Sequence, residues 1–234
     1  MIHPSPGPRS IASLYLSTYH RCYAASKLQT DPLYGSVASV LLDHPDPPPL
    51  LDVGCGIGIL AAYLRESGYA APILGLDFDS SKIAAAQRVA ERYPGVEFHV
   101  ADARQGLPSF SGSVTILDIL QYLPDSQQQS LVREAASRIS PRGCFLLRSG
   151  LREPGWRYHV TRAADHFAKL AFWMKSAPVT YPERQTLSAW LHDAGLSGDV
   201  RPLYGRTPFN NYLFAFRRQA PREQGSPGMK GSPI

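Results

Sequence analysis

The sequence predicts an α/β fold: a doubly wound, seven-stranded sheet, mostly parallel with an antiparallel edge strand, preceded by an N-terminal helical preface. The main observation is that apolar runs of strand length alternate with segments of helical period through the middle of the chain. The five runs are 50–53, 73–76, 96–100, 114–120 and 144–148. Parallel strands joined by helices need right-handed crossovers, so we expect helices on both faces of the sheet.

The segments between these runs predict the helices, and the pattern changes after residue 149. Helices are expected at 60–67, 80–93 and 127–139, with Ser80 placed to cap the second. Beyond residue 149 we expect an aromatic and basic helix at 157–176 and another at 183–194, which ends at Gly195. Two further runs, 199–203 and 211–216, are joined by a short connection, which predicts a hairpin-like pair at the edge of the sheet.

The ends of the chain differ in composition from its middle. Residues 1–10 and 219–234 are rich in proline, glycine and serine, which predicts disorder. Residues 11–49 predict a helical cap with a break at Asp31 and Pro32, followed by a proline-rich linker. The main domain is therefore expected at 50–218, with an inserted lid at about 149–182.

Composition and charge exclude several classes of protein. Apolar residues make up 44% of the chain, and no apolar run is long enough to cross a bilayer. The amino terminus lacks the apolar core of a secretory signal, so we expect a cytoplasmic protein. The three cysteines are widely spaced, and no metal site is indicated. Most of the net charge of +5 lies near the two ends, so the folded part of the chain is close to neutral. A nucleic-acid substrate is therefore unlikely.

The chemistry is expected at the exit of the first strand, because ligands of open α/β sheets bind beyond the carboxyl ends of the strands. Gly54, Gly56 and Gly58 follow this strand and allow the backbone to turn sharply and approach a ligand. A helix begins directly afterwards, and its N–H groups face the same place. Ile59 stands where a dinucleotide-binding loop has its third glycine, which disfavours NAD.

Two acidic residues strengthen this interpretation. Asp52 ends the first strand, where its carboxylate can hold a ligand ammonium group. Asp77 ends the second strand, and an acid at that position suits the two hydroxyls of a ribose.

These motifs resemble those of the class I S-adenosylmethionine-dependent methyltransferases, in order, over residues 50–148. The resemblance implies a Rossmann-like fold with S-adenosyl-L-methionine as the cofactor. It implies that the first strand exit holds the methionine part, that Asp77 holds the ribose and Phe78 the adenine face, and that Asp102 accepts from the adenine amine. It also implies that residues 117–123 run past the sulfonium. The cofactor-binding residues carried over are Asp52, Gly54, Cys55, Gly56, Gly58, Asp77, Phe78, Asp102, Ala103, Asp118 and Leu120.

Several of these residues also have simpler explanations. Asp102 can cap a turn or helix. Asp118, predicted inside the fourth strand, is either a buried structural acid or a site residue. Cys55 is better explained as a small buried thiol than as a nucleophile. Gln121 stands where small-molecule methyltransferases often have a histidine, so the sequence does not supply a base at this position.

Methyl transfer is an in-line displacement, so the protein mainly aligns the acceptor and excludes water. Candidate catalytic groups are His159, His166, Tyr122 and Tyr19, with Tyr15 and His20 nearby in the preface. A packed or solvated role is the simpler explanation for each one. The segment 148–175 alternates arginines and lysines with aromatic residues, which suggests a lid whose arginines bind a carboxylate or the phosphate of a carrier arm. A solvated helix with ordinary surface arginines is the alternative.

The acceptor is expected to be a small molecule. The Asn-Pro-Pro-Tyr type of segment found in nucleobase-methylating enzymes is absent, and residues 120–124 read Leu-Gln-Tyr-Leu-Pro instead. Residues 23–34 and 207–211 resemble bacterial methyltransferases of polyketide-like or aryl polyene pathways, which implies an aromatic, carboxylated or carrier-bound acceptor. The alternatives are an RNA methyltransferase and a non-catalytic partner protein that binds the cofactor.

Overall fold

Seven strands form one sheet within residues 7–170 and 178–218, which the computed structural model describes apart from the side chains of 165–170. The strands are β1 (Leu50–Val53), β2 (Ile73–Asp77), β3 (Val96–Val100), β4 (Ser113–Leu117), β5 (Cys144–Gly150), β6 (Leu196–Pro202) and β7 (Asn211–Arg218). Their order is β3-β2-β1-β4-β5-β7-β6, and the first five are parallel. The predicted fold class is confirmed, and the order of the strands reverses between β1 and β4.

Helices cover both faces of this sheet. They are α1 (Pro8–Ala12), α2 (Thr18–Thr30), α3 (Leu33–Leu41), α4 (Ile59–Glu66), α5 (Ser80–Arg92), α6 (Asp125–Ser137), α7 (Trp156–Leu170) and α8 (Arg184–Asp193). Buried side chains of α1 to α5 form one core with the sheet, whereas those of α6 and α8 form a second core on the other face. Within the described ranges, no helix has the length and apolar character needed to cross a membrane.

The preface is part of the first core rather than an appended segment. Ile11, Tyr15, Val37 and Leu41 are buried together with side chains of α4 and α5. It has three helices where the sequence predicted two, and α1 begins at Pro8, so the predicted disorder of residues 8–10 is corrected. Residues 1–6 and the predicted tail at 219–234 lie outside the described part of the chain.

Three local features differ from the expectations. The predicted strand 114–120 ends at Leu117, because Asp118 has a φ of 60° and turns the chain out of the sheet. Asp79, not Ser80, caps α5, and its Oδ1 accepts from the backbone N–H of Ser81 at 3.0 Å. The antiparallel strand β7 lies between β5 and β6, so the edge strand β6 pairs antiparallel with it.

The two ends of the insertion, which we define as residues 151–182, lie side by side. Arg152 forms an ion pair with Glu183 at 2.9 Å, and the Nε of Arg184 contacts Glu153 Oε1 at 2.7 Å. The backbone N–H of Arg152 also donates to the carbonyl oxygen of Pro182 at 2.9 Å. The insertion therefore leaves the sheet and returns to it at one place. Its predicted helix at 157–176 is seen as α7 up to Leu170, and residues 171–177 lie outside the described residues.

Candidate functional site

A glycine bend, residues 54–58, connects β1 to α4. Gly54, Gly56 and Gly58 all have positive φ angles, of 81°, 57° and 79°. The backbone N–H groups of Gly54 and Cys55 donate to the carbonyl oxygen of Leu76 at 2.7 and 2.9 Å. Glycine adopts these angles without the steric cost that a side chain brings, so the residue type is required here by the backbone itself.

The surroundings of the three glycines differ. A Cβ atom on Gly54 would lie 2.5 Å from Cγ2 of Ile119, and one on Gly58 would lie 2.7 Å from Cζ of Phe98. The corresponding position on Gly56 has no neighbouring atom within 4 Å. The outer glycines therefore allow close packing, while the middle one borders open space.

Two carboxylates flank the bend, as the sequence predicted for neighbouring strand ends. Asp77 Oδ2 accepts from the backbone N–H of Gly56 at 3.0 Å, and its Oδ1 accepts from that of Asp79 at 2.9 Å. Asp52 is buried, and its Oδ1 accepts from the hydroxyl of Thr115 at 2.6 Å. Burial raises the pKa of Asp52 to about 6; the Thr115 hydrogen bond opposes this rise, and the negative charge of Asp77 adds to it.

Cys55, inside the bend, has a packing role. Its side chain is buried in the first core. Burial raises the pKa of its thiol well above the ordinary value, with the carboxylates of Asp52 and Asp77 adding to the effect. The neutral thiol is a poor nucleophile, in agreement with the simpler explanation.

Exposed apolar side chains lie at the exits of β2 and β3, and an aspartate that is paired with an arginine follows β3. Phe78 and Val100 follow or end adjacent strands and are both exposed. Asp102 caps the 3₁₀ turn Ala103–Gln105, and its Oδ2 accepts from Nη2 of Arg104 at 2.6 Å. The structure thus gives Asp102 the turn-capping role, in addition to its place at the strand exit.

A buried arginine of β5, Arg148, lies beside the end of β4. The sequence had suggested that this residue belongs to a lid. Arg148 is in β5 and is only 1% exposed. Its Nε donates to Asp118 Oδ1 at 2.8 Å, and its Nη2 donates to Asp118 Oδ2. Its Nη1 donates to Asp31 Oδ1 at 2.5 Å. Although burial opposes the charge, the two carboxylates hold the pKa of Arg148 above its ordinary value.

This arginine links three parts of the chain. Asp31 belongs to the preface and also contacts Nζ of Lys27 at 3.3 Å. Burial raises the pKa of Asp31, but the positive charges of Arg148 and Lys27 outweigh burial and hold it below its ordinary value. We call Lys27, Asp31, Asp118 and Arg148 the Arg148 network. Sequence reasoning missed its pairing, although a lone charge at the end of an apolar run was a signal that a buried partner was required.

A short 3₁₀ turn, Leu120–Tyr122, follows Asp118 and Ile119. Leu120 is fully buried in the core that contains α6. The carbonyl oxygen of Gln121 accepts from the backbone N–H groups of Val179 and Thr180 at 2.7 and 3.3 Å. The returning end of the insertion therefore lies against this turn.

The candidate catalytic residues are spread over several elements. Tyr122 lies in the 3₁₀ turn and is partly buried. Tyr19 is half exposed and stacks on Tyr23, with ring centroids 6.3 Å apart. His159 is exposed on α7, and the side chain of His166 lies outside the described residues. Among the preface residues, Tyr15 contacts the glycine bend instead of Tyr19: its hydroxyl donates to the carbonyl oxygen of Ile57 at 3.0 Å.

The arginines expected to line a lid already have protein partners. Arg152 is paired with Glu183. The guanidinium of Arg157 lies over the rings of Trp156 and Tyr204, at 4.7 and 4.4 Å from their centroids, and donates to a backbone carbonyl. The prediction that Arg148 binds an acceptor carboxylate or phosphate from a lid is wrong, because this residue is buried in β5.

The strand order and the glycine bend flanked by two acids define the Rossmann-like class of nucleoside-binding folds. Residues 50–143, which include the bend and the exits of β1 to β4, match the family described as a methyltransferase domain. The ubiquinone biosynthesis O-methyltransferase of Pseudomonas fluorescens is 28% identical over 162 residues, which cover 68% of this chain and 67% of that protein. The trans-aconitate 2-methyltransferase of Methylobacterium nodulans is 30% identical over 159 residues, covering 66% and 59%.

A solved structure agrees with these similarities. Magnesium protoporphyrin IX methyltransferase from Synechocystis, with bound SAH, superposes with a TM-score of 0.64 at 19% identity, covering 87% of this chain and 89% of that one. That likeness shows the fold. Residues 50–143 of this chain therefore match a methyltransferase domain in sequence, and the solved structure with bound SAH has the same fold.

The hydrogen bond from Tyr15 to the bend yields a prediction. Replacing Tyr15 with phenylalanine is expected to lower the free energy of unfolding by about 1 kcal/mol, and to weaken cofactor binding, because the carbonyl of Ile57 loses its donor. Urea denaturation and calorimetric titration with S-adenosylmethionine measure the two effects.

Tyr69→Phe is the matched control. Tyr69 is equally buried and its hydroxyl donates to the carbonyl of Pro48, away from the bend. We expect a similar loss of stability with unchanged cofactor affinity. Equal changes of affinity in both variants would show that the bond to Ile57 has no specific effect on the site.

Proposed function

We propose that this protein transfers a methyl group from S-adenosylmethionine to a small-molecule acceptor at the carboxyl edge of its sheet. The observation that carries the proposal is the contact between Asp77 and the N–H of Gly56, next to open space and to the buried Asp52. This arrangement suits the cofactor. One carboxylate can pair with its ammonium group, and the other can accept from its ribose hydroxyls. The glycine bend between them leaves room for the methionine part.

Individual residues have distinct roles in this proposal. The carboxylate of Asp52 pairs with the ammonium group, and the bend from Gly54 to Gly58, including Cys55, lies against the methionine part. Each oxygen of Asp77 accepts one backbone N–H, so each keeps a lone pair for a ribose hydroxyl. Phe78 offers an exposed ring for the adenine.

The remaining contacts follow the strand exits. Asp102, with Ala103 beside it, accepts from the adenine amine, and this contact competes with the ion pair to Arg104. Asp118 and Leu120 belong to the segment that passes the reacting centre, where their position, fixed by Arg148 and by the core, shapes the site.

When bound, the cofactor supplies a methyl group already activated by a positively charged sulfur. The protein therefore has to align the acceptor and exclude water. The preface is held by Tyr15 and by the Arg148 network, and the insertion is held at its base and against Gln121. We expect the preface and the described ends of the insertion, 151–164 and 178–182, to flank the acceptor.

Exposed apolar side chains support a small, partly apolar acceptor. Apart from the side chains at the proposed adenine site, large apolar residues lie exposed on both ends of the insertion: Trp156 and Val179. These side chains are available to contact an apolar part of the acceptor. The names of two relatives, an O-methyltransferase and a trans-aconitate methyltransferase, also point to small acceptors. An aromatic or acyl intermediate, free or bound to a carrier, fits this surface.

The proposal is tested with the full chain and methyl-labelled S-adenosylmethionine. The protein is incubated with a fraction of small metabolites and, separately, with total RNA from the same cells. We expect the label in a small molecule detected by mass spectrometry. Label in RNA alone, or no calorimetric binding of S-adenosylmethionine, would contradict the proposal.

The raised pKa of Asp52 predicts a pH dependence of cofactor binding. The carboxylate form, which pairs with the ammonium group, predominates above a pKa of about 6 and is lost as the pH falls through this value. We expect the affinity for S-adenosylmethionine to be about tenfold lower at pH 5 than at pH 7. Calorimetry between these values measures it. In Asp52→Asn the affinity should be low at every pH, and an unchanged pH profile in that variant would exclude Asp52 as the source.

A further inference from the structure

The side-chain amide of Gln121 is buried, and only its nitrogen has a hydrogen-bond partner in the described structure. Its residue is 6% exposed. Its Nε2 donates to the carbonyl oxygen of Asp118 at 3.1 Å, and since a carbonyl only accepts, this contact fixes the orientation of the amide. Its Oε1 is then a buried acceptor that has no hydrogen-bond partner in the described structure. Buried acceptors of this kind are rare and require a donor.

The position of Gln121 in the fold places this residue next to the proposed site. Ile119, two residues earlier, packs on Gly54 of the glycine bend. Val179 and Thr180, from the returning end of the insertion, bond to the backbone of Gln121 on the other side. Gln121 thus lies between the proposed cofactor site and the returning end of the insertion.

A second buried amide, Gln128, shares this feature, because its Oε1 also has no hydrogen-bond partner among the described residues. Gln128 on α6 is fully buried, and its Nε2 donates to the carbonyl oxygens of Leu123 and Thr180 at 2.9 and 3.1 Å. The two amides differ in where their Nε2 atoms bind: Gln128 binds the returning end of the insertion, whereas Gln121 binds the segment that follows β4. The two amides are similar in burial but differ in their distance along the chain from the bend.

The charges nearby indicate which chemical group Gln121 meets. Arg148, the buried cation at this edge, is bonded to Asp118 through Nε and Nη2 and to Asp31 through Nη1. Lys27 is also paired with Asp31, so the positive and negative charges of the network balance. A carboxylate bound here would therefore find Arg148 already engaged, and next to the side-chain Oε1 of Gln121 it would lack a hydrogen-bond donor.

We infer that Oε1 of Gln121 accepts a hydrogen bond from the O–H or N–H group that becomes methylated, so that the protein selects a neutral hydroxyl or amine over a carboxylate. This inference rests on the proposed function. The acceptor's oxygen or nitrogen forms a bond to the methyl carbon while the methyl–sulfur bond breaks and its electron pair remains on sulfur. The acceptor's proton passes to water, because the amide orients the donor and does not titrate.

The test compares two sets of probes with the full chain and labelled S-adenosylmethionine. Catechol, hydroquinone and aniline carry neutral donors, whereas trans-aconitate and cinnamate are carboxylates at pH 7.5. We expect at least one neutral probe to have a kcat/KM about tenfold or more above that of either carboxylate. Equal or faster transfer to a carboxylate, or none to the neutral probes, overturns the inference. If calorimetry shows no binding of S-adenosylmethionine, the proposed function fails as well.

Variants separate recognition from folding. Gln121→Met keeps the length of the side chain and removes the acceptor oxygen. Its kcat/KM for the best neutral probe should fall about 10- to 100-fold, with unchanged affinity for S-adenosylmethionine. Gln121→Glu retains an acceptor oxygen and should restore transfer as the pH rises and its carboxyl group ionises. Gln128→Met reports the cost of losing a buried amide, and an equal loss of kcat/KM in this variant would overturn the assignment to Gln121.

Discussion

Replacing Arg148 with methionine is expected to lower the free energy of unfolding by about 3–5 kcal/mol, the cost typical of breaking a buried ion pair by removing one partner. The variant leaves Asp31, whose side chain is 9% exposed, and Asp118 without their shared guanidinium. It also removes the hydrogen bond that joins the preface to β5, because Arg148 donates to Asp31. Urea denaturation followed by circular dichroism measures the change.

Arg142→Met is the matched control for this prediction. Arg142 forms an ion pair with Asp46 at 3.0 Å, but the two side chains are 60% and 79% exposed. Exposed pairs contribute little, so we expect a loss of about 1 kcal/mol or less. A triple variant of Arg148→Met with Asp31→Asn and Asp118→Asn should regain part of the lost stability. If the two arginine variants were equally stable, burial of the Arg148 network would have no energetic importance.

Replacing Asp77 with alanine is expected to weaken S-adenosylmethionine binding by about 2–3 kcal/mol, or roughly 30- to 150-fold. The substitution removes the proposed ribose contact and also the acceptor that holds the N–H of Gly56 at 3.0 Å. Calorimetric titration of the variant measures the loss of affinity.

Asp46→Ala makes the same chemical change at the opposite edge of the sheet, on an exposed side chain ahead of β1. Its affinity for S-adenosylmethionine should equal that of the parent protein. Unchanged affinity in Asp77→Ala would remove the ribose from the proposed contacts. Denaturation of both variants shows whether a lower affinity simply reflects a less stable protein.

Most of the sheet could be predicted because its signals are local. Between β1 and β5, each strand and each helix is formed by consecutive residues with their own pattern. The parallel arrangement of the strands follows from the alternation of these patterns. The position of β7 between β5 and β6 could not be predicted from the sequence, because the pairing of distant strands leaves no local pattern. The end of β4 was missed since Ile119 and Leu120 continue the apolar run after Asp118 has already left the strand.

The site divides in the same way. The glycine bend, Asp52 and Asp77 were readable because strand exits of adjacent parallel strands meet at one edge. The Arg148 network could not be predicted from the sequence, since Arg148 and Asp31 lie 117 positions apart in the chain. The unpartnered oxygen of Gln121 depends on three-dimensional contacts with Asp118 and the insertion, which no spacing rule describes.

The paired ends of the insertion have a consequence for how the fold tolerates changes in length. Because Arg152 and Glu153 contact Glu183 and Arg184 at its base, the insertion starts and ends at one place, and its length does not set the register of the strands. A change in the length of the insertion is therefore expected to leave the glycine bend and the exits of β1 to β4 in place.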